Sequence, residues 1–258
     1  MKLMITLALA CFHLSLFFTS PLSADGNSPQ ENKQTIEQKQ QPVPGRDAPI
    51  WDKNKNQENA MAPAIKKLKD GILQIGNIMV NKNEGSVLVQ GQVNMQEGLV
   101  EYLACGVYGK LHESVLKLYS EPFHIQIALL LLGLEPGEKH LGRQGAHGIP
   151  EGDPIDILVS WFDDQKTITH RAEELLLNTK TGQTMEKTHW IFTGSQIVKG
   201  KFMAQVEHSI ASTYHDPYAI IDHPLKTGTD DTLYVANNKI LPPKGTTINF
   251  LIKLIKKE

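Results

Sequence analysis

The stretch from Leu111 to Ile125 returns in altered form between Glu207 and Ile220. Shared positions pair Ser114 with Ser209, Val115 with Ile210, Tyr119 with Tyr214, Glu121 with Asp216, Pro122 with Pro217, Phe123 with Tyr218 and Ile125 with Ile220. Flanking segments repeat in the same order: Ile78 to Asn81 resembles Leu175 to Asn178, and Pro150 to Val159 resembles Pro243 to Ile252. A spacing of about 95 residues is far too long for a solenoid unit and points to a duplicated, domain-sized piece. The expectation is two lobes, pseudo-repeats at about 72–161 and 167–256, that fold against each other.

Each half carries strand-like runs and one helix signal. In the first, Ile72 to Val80, Ser86 to Met95, Leu99 to Tyr108, Glu113 to Tyr119 and Ile155 to Trp161 read as strands. Glu121-Pro122 opens a helix, since proline is tolerated in a first turn where its missing N–H had no partner. Phe123 to Leu132 is apolar on nearly every side, as a buried helix is. In the second half, Leu175 to Leu177, Trp190 to Thr193, Phe202 to Val206, Ser209 to Tyr214 and Thr247 to Ile255 look extended. Asp216-Pro217 reads as an N-cap and helix start, stopped by Asp222-His223-Pro224. The fold class expected is therefore α+β: mostly antiparallel sheet in internally duplicated β-rich lobes, each with one short packed helix.

The N-terminal end of the chain suggests export. Met1-Lys2, an apolar run from Leu3 to Phe18 and small residues at Ser23 and Ala24 form a secretory signal over 1–24, with cleavage after Ala24. The run is too short to favour a permanent membrane span. A lipoprotein reading would use Cys11, but the apolar run continues past it where a polar tether belongs. Residues 25–63 are rich in Gln, Asn, Lys, Glu and Pro and read as a disordered polar linker, with a short helix from Met61 to Asp70 at its boundary. The folded region is then 64–258, long enough for a substantial core.

Charge and cysteine usage exclude several classes. The formal net charge is −2, and no basic stripe suggests a nucleic-acid partner. Of two cysteines, Cys11 leaves with the signal, so the mature chain has Cys105 alone and no internal disulfide. Its apolar surroundings favour a buried small residue over a reactive thiol.

No familiar catalytic signature is present: no Gly-x-Ser-x-Gly, His-Glu-x-x-His, Walker loop or Cys-x-x-Cys. Candidate catalytic residues are His112 and Ser114, which share one face of a strand, with Asp230 or Asp231 arriving from the other half. Two long connections stand out. Residues 135–153 carry five glycines interleaved with His140, Arg143 and His147, and residues 224–242 carry Asp230 and Asp231; both could face a common cleft. Candidate ligand-binding residues are His140, Arg143, His147 and Ser209. The ten histidines are scattered without ligand spacing, so neither a metal nor another cofactor is expected. Trp190 to Ser195 reads as an aromatic strand ending in a turn, which could line a site.

Gly109-Lys110-Leu111-His112-Glu113-Ser114, the Ala128 to Gly133 helix end, Trp190 to Ser195 and Asp216-Pro217 together resemble the bacterial YdjY-domain family. The resemblance covers roughly Leu73 to Ile252, and the Gly-Lys-x-His-Glu-Ser run is its most specific part. It implies an extracytoplasmic bacterial protein and brings no reaction, cofactor or catalytic residue with it. The function expected is an exported envelope binding or accessory protein whose partner is a small molecule or another envelope protein. The alternative is an extracytoplasmic hydrolase or metal-assisted enzyme built on His112 and Ser114.

Overall fold

Alternation is cleanest in Ser86–Val93, where Val87, Val89 and Val93 are buried while Leu88, Gln90 and Gln92 are half-exposed. In the computed structural model, which describes residues 63–255, this strand is the fourth of sixteen. The elements run β1 (Ile65–Lys69), β2 (Ile72–Ile75), β3 (Ile78–Asn81), β4 (Ser86–Val93), β5 (Tyr102–Gly106), β6 (Ser114–Leu118) and α1 (Pro122–Leu131). They continue through β7 (Asp153–Asp163), β8 (Lys166–Arg171), β9 (Leu176–Asn178), β10 (Trp190–Phe192), β11 (Ile197–Val198), β12 (Lys201–Phe202) and α2 (Met203–Glu207). The last are β13 (Ser209–Ser212), β14 (Ile221–Asp222), β15 (Tyr234–Ala236) and β16 (Thr247–Leu254).

Eight of these strands close on themselves in the order β4-β16-β7-β10-β14-β13-β5-β6, with β6 pairing back onto β4. β1, β2 and β3 extend the sheet outward from β4, and β8 hangs on β7. The register lines up apolar rows across three strands. Val89 faces Phe250, which faces Val159; Val87 faces Ile252, which faces Ile157. All six side chains are fully buried, so the barrel is filled by its own core. The closing seam is tight at Gly91, opposite Leu118. A Cβ there would lie 2.5 Å from the Lys117 carbonyl oxygen and 2.7 Å from the Leu118 side chain.

This architecture corrects the expected α+β class. The molecule is mostly β, and its halves supply strands to one closed barrel in place of two lobes each packing a helix. The Ser114/Ser209 alignment fails in space as well. Ser114 opens β6, between β5 and β4, whereas Ser209 opens β13, between β14 and β5. Tyr119 hydrogen-bonds Gln92, while Tyr214 lies under Gly145 of the 135–153 loop. Their surroundings are unrelated.

Local expectations met mixed outcomes. The first helix forms as α1 and packs against β3 and β4. No helix follows Asp216-Pro217: Asp216 Oδ1 accepts the Tyr218 N–H at 2.9 Å, a capping bond that closes only a turn. The apolar run Phe202 to Val206, expected to be extended, is largely the short helix α2. The boundary stretch expected to be helical contains β1, an exposed edge strand. The signal and all but the last residue of the linker lie outside the described residues.

Candidate functional site

Two pairs of barrel strands are parallel, β5 with β6 and β13 with β14. Parallel neighbours usually need a crossover of about a dozen residues or more. Here residues 107–113 and 213–220 make the crossings directly, and the second is largely buried against the barrel. The first crossing contains Lys110 and a 3-10 turn at Leu111–Glu113. The second contains Thr213, His215, Asp216 and Pro217, all buried.

A hydrogen-bonded chain joins the two crossings. Lys110 Nζ donates to Tyr102 Oη at 3.3 Å, and Tyr102 Oη donates to Asp216 Oδ2 at 2.7 Å. Burial pushes the Asp216 carboxyl above its ordinary value, against the pull of Tyr102 and the Tyr218 N–H. Burial and the Asp216 charge likewise hold the Tyr102 phenol far from ionising. Tyr102 is therefore a fixed donor.

Beside this chain lies a cluster of rings around Asp222. Asp222 Oδ1 accepts from His215 Nδ1 at 2.9 Å and from the His223 backbone N–H at 2.7 Å. His223 Nε2 lies 2.9 Å from the Thr213 carbonyl, and the Leu225 N–H points at His223 Nδ1 from 3.2 Å. A carbonyl only accepts and an N–H only donates, so the proton of His223 sits on Nε2. Burial holds this imidazole below its usual pKa. His215 is fully buried, and its Nε2 has no hydrogen-bond partner. The ring centroids of His215 and His223 lie 5.2 Å apart with the rings tilted by 34°, and Trp190 meets His223 edge-on. Gly228 covers the His215 ring so closely that a Cβ would fall 2.4 Å from its Cε1.

The 135–153 loop crosses over these groups. Its base is closed by Glu135 and Asp153, which exchange the bonds Glu135 N–H to Asp153 Oδ2 and Asp153 N–H to the Glu135 carbonyl. Its middle is pinned by Gly145 N–H to the His215 carbonyl at 2.7 Å and by Gln144 Nε2 to Glu101 Oε2 at 2.9 Å. Between loop and barrel a small cleft remains. Asp216, Asp222 and Thr193 form its floor, and Lys139, His140, Leu141, Pro150 and Glu151 form part of its rim. It has room for little more than one water-sized group.

With this geometry in place, comparison with known families is informative. Residues 78–253 match the model of the YdjY domain. The chain belongs to the YdjY domain family. No curated protein and no solved structure gives a significant match. The matched stretch takes in every strand of the closed barrel and leaves β1 and β2 outside it. Among the described residues, no helix is long and apolar enough to cross a membrane.

Within the YdjY domain the expected site residues are scattered. His112 is largely exposed on the 3-10 turn and lies 3.5 Å from Glu113 Oε2. Ser114 is fully buried and donates to the Leu116 carbonyl at 2.9 Å. The two form no relay. Asp230 is bound by Lys180 at 2.7 Å and by Thr232, which hold its carboxyl down at about 2. Asp231 is exposed, and its charge is felt at Glu101. Ser209 is buried opposite Cys105, whose thiol burial pushes up to about 12.

The 135–153 loop does reach the cleft, through His140, while Arg143 and His147 are exposed. The 224–242 loop does not line it. The aromatic strand ending in a turn contributes Thr193. Sequence reasoning missed Tyr102, Lys110, His215, Asp222 and His223 as a group. The available signal was the mirrored pair His215-Asp216-Pro217 and Asp222-His223-Pro224, whose acids and histidines close the two ends of one short crossing.

Proposed function

We propose that this YdjY-domain chain is an exported, non-catalytic binding protein of the bacterial envelope, and that it takes a small cationic group in the cleft beneath the 135–153 loop. The observation that carries this reading is that Asp216 and Asp222, from one of the most buried stretches of the chain, reach the same surface opening. Glu151 adds a third carboxylate, and Lys139 is the one basic side chain among the lining residues apart from His140. Positive charge offsets the cost of holding carboxylates close together in poorly solvated surroundings. The small volume limits the inserted group to an ammonium or a metal ion. Export is supported by the apolar N-terminus followed by small residues. The separation of His112 from Ser114 supports binding over catalysis.

A thermal-shift panel tests the reading, with putrescine and ethanolamine as ammonium probes and Zn²⁺, Co²⁺, Mg²⁺ and Ca²⁺ as metal probes. A ligand specific to the folded state stabilises it by about 2.7 kcal/mol at a hundredfold excess over Kd. A saturable rise in Tm with at least one probe, lost in Asp216→Ala, supports the cleft. No rise with any probe sinks it.

A further inference from the structure

We infer that His215, Asp222 and His223 form a binding site for one divalent transition-metal ion. The inference rests on the cleft reading and deepens it by naming the cation. One nitrogen of each imidazole and one carboxylate oxygen of Asp222 all lie within 4.8 Å of one another, in three buried residues. Proximity alone would carry little. The second observation is the 2.9 Å separation of His215 Nδ1 from Asp222 Oδ1, which brings two donor atoms to one point with a proton between them that an ion can replace.

The bond on the far side of the His223 ring fits a metal. His215 shares its Nδ1 proton with Asp222, and an ion bound between the two takes the place of that proton while Nε2 carries the ring N–H. His223 donates its Nε2–H to the Thr213 carbonyl, which turns the Nδ1 lone pair away from that bond. Metal-bound histidines are held in this way, one N–H fixed by a carboxylate or carbonyl while the other nitrogen ligates. The competing contact at His223 Nδ1, the Leu225 N–H at 3.2 Å, is long and can be given up.

The donor set selects the ion. Two imidazoles and one carboxylate suit Zn²⁺, Co²⁺, Ni²⁺ or Cu²⁺, whereas Mg²⁺ and Ca²⁺ prefer oxygen alone. Trp190 and Gly228 pack around the rings and keep water from them, which strengthens a charge-to-ligand attraction. Asp222 belongs both to this cluster and to the cleft floor, so an ion would enter past Asp216 and keep a coordination position towards the opening.

The experiment uses the protein purified without a histidine tag, stripped with chelator and titrated with Co²⁺ followed by visible absorption, and with Zn²⁺ followed by calorimetry. The expected result is one ion per chain, ligand-field bands of a nitrogen-ligated Co²⁺ site, and loss of at least about 100-fold in affinity in both His215→Gln and His223→Gln. Changing only an outer-shell partner weakens a metal site by about 10–100-fold, so the larger loss marks direct ligands. Because these variants are buried and could fail to fold, histidine NMR of the wild type gives a second readout. Co²⁺ should broaden His215 and His223 before the exposed His112 and His147. Broadening of exposed histidines first, or no saturable transition-metal binding, overturns the inference. If ammonium probes raise the Tm while no transition metal binds, the metal site falls and the cleft stands; if neither binds, both fall.

Discussion

Tyr102 Oη donates a 2.7 Å hydrogen bond to Asp216 Oδ2 across 114 positions of sequence. That bond ties the start of β5 to the crossing after β13, and it holds one of the two carboxylates on the cleft floor. In Tyr102→Phe, Asp216 keeps its burial and loses its side-chain donor. Removing the donor of a buried hydrogen bond leaves the acceptor undersatisfied, at about 1–3 kcal/mol. Urea denaturation should show that loss, and pairing the change with Asp216→Asn should recover part of it. Unchanged stability in Tyr102→Phe would mean that the bond does not anchor the second crossing.

The barrel seam gives a sharper packing test. Gly91→Ala places a Cβ against the Lys117 carbonyl, which is backbone and has nowhere to move without opening β4 from β6. A destabilisation of about 1–3 kcal/mol is expected for such overpacking. Gly142→Ala is the control, since nothing lies within 4 Å of its added Cβ. It should change stability by less than about 0.5 kcal/mol. Equal effects at the two positions would argue against closure at β4–β6.

Stability should fall in mild acid. Burial holds His208 and His124 below the ordinary value of 6.5, with the Glu121 charge pulling the other way in both. A lowered folded-state pKa means that the unfolded chain binds more protons below 6.5. The stabilisation is then present above 6.5 and is lost as pH falls through that value towards the folded pKa. With chelator present, the urea midpoint should drop between about pH 8 and about pH 5.5. His208→Asn should flatten the drop, because asparagine tolerates the left-handed backbone at φ 53° and carries no titrating ring. A midpoint that rises on acidification would contradict the sign.

His112 and Ser114 separate a binding site from a catalytic pair. His112→Ala, at an exposed position, should leave stability within about 0.5 kcal/mol of wild type and leave the cation-induced Tm shift unchanged. Ser114→Ala removes a buried donor from the Leu116 carbonyl and should cost about 1 kcal/mol without altering ligand affinity. A loss of cation binding in either variant would place the site at the first crossing instead of the cleft floor.

Much of the strand content was readable because alternation survives wherever one face is buried, as in Ser86–Val93 and Thr247–Leu254. Closure was not readable. Period 2 reports which side chains turn inward and nothing about which strand lies alongside, and the β4–β6 seam depends on Gly91, a residue with no pattern of its own. Asp216-Pro217 misled because the side-chain bond that starts a helix also closes a turn. Phe202 to Val206 misled because an apolar run that short fits a strand and a helix turn equally well. The site escaped for a related reason. His215, Asp222 and His223 lie close in sequence, but Asp216-Pro217 and Asp222-His223-Pro224 read as the start and stop of a helix, and only the crossing between β13 and β14 folds the three together.

The central claim is that the cleft floored by Asp216 and Asp222 receives a small cation. Backbone amide NMR of the isotope-labelled protein during titrations with Zn²⁺ and with the ammonium probe putrescine tests it most directly. Saturable shifts confined to Thr193, residues 213–225 and the 139–151 side of the loop are predicted. Shifts centred on Asp230, His112 or the exposed β1 edge, or none at all, would contradict it.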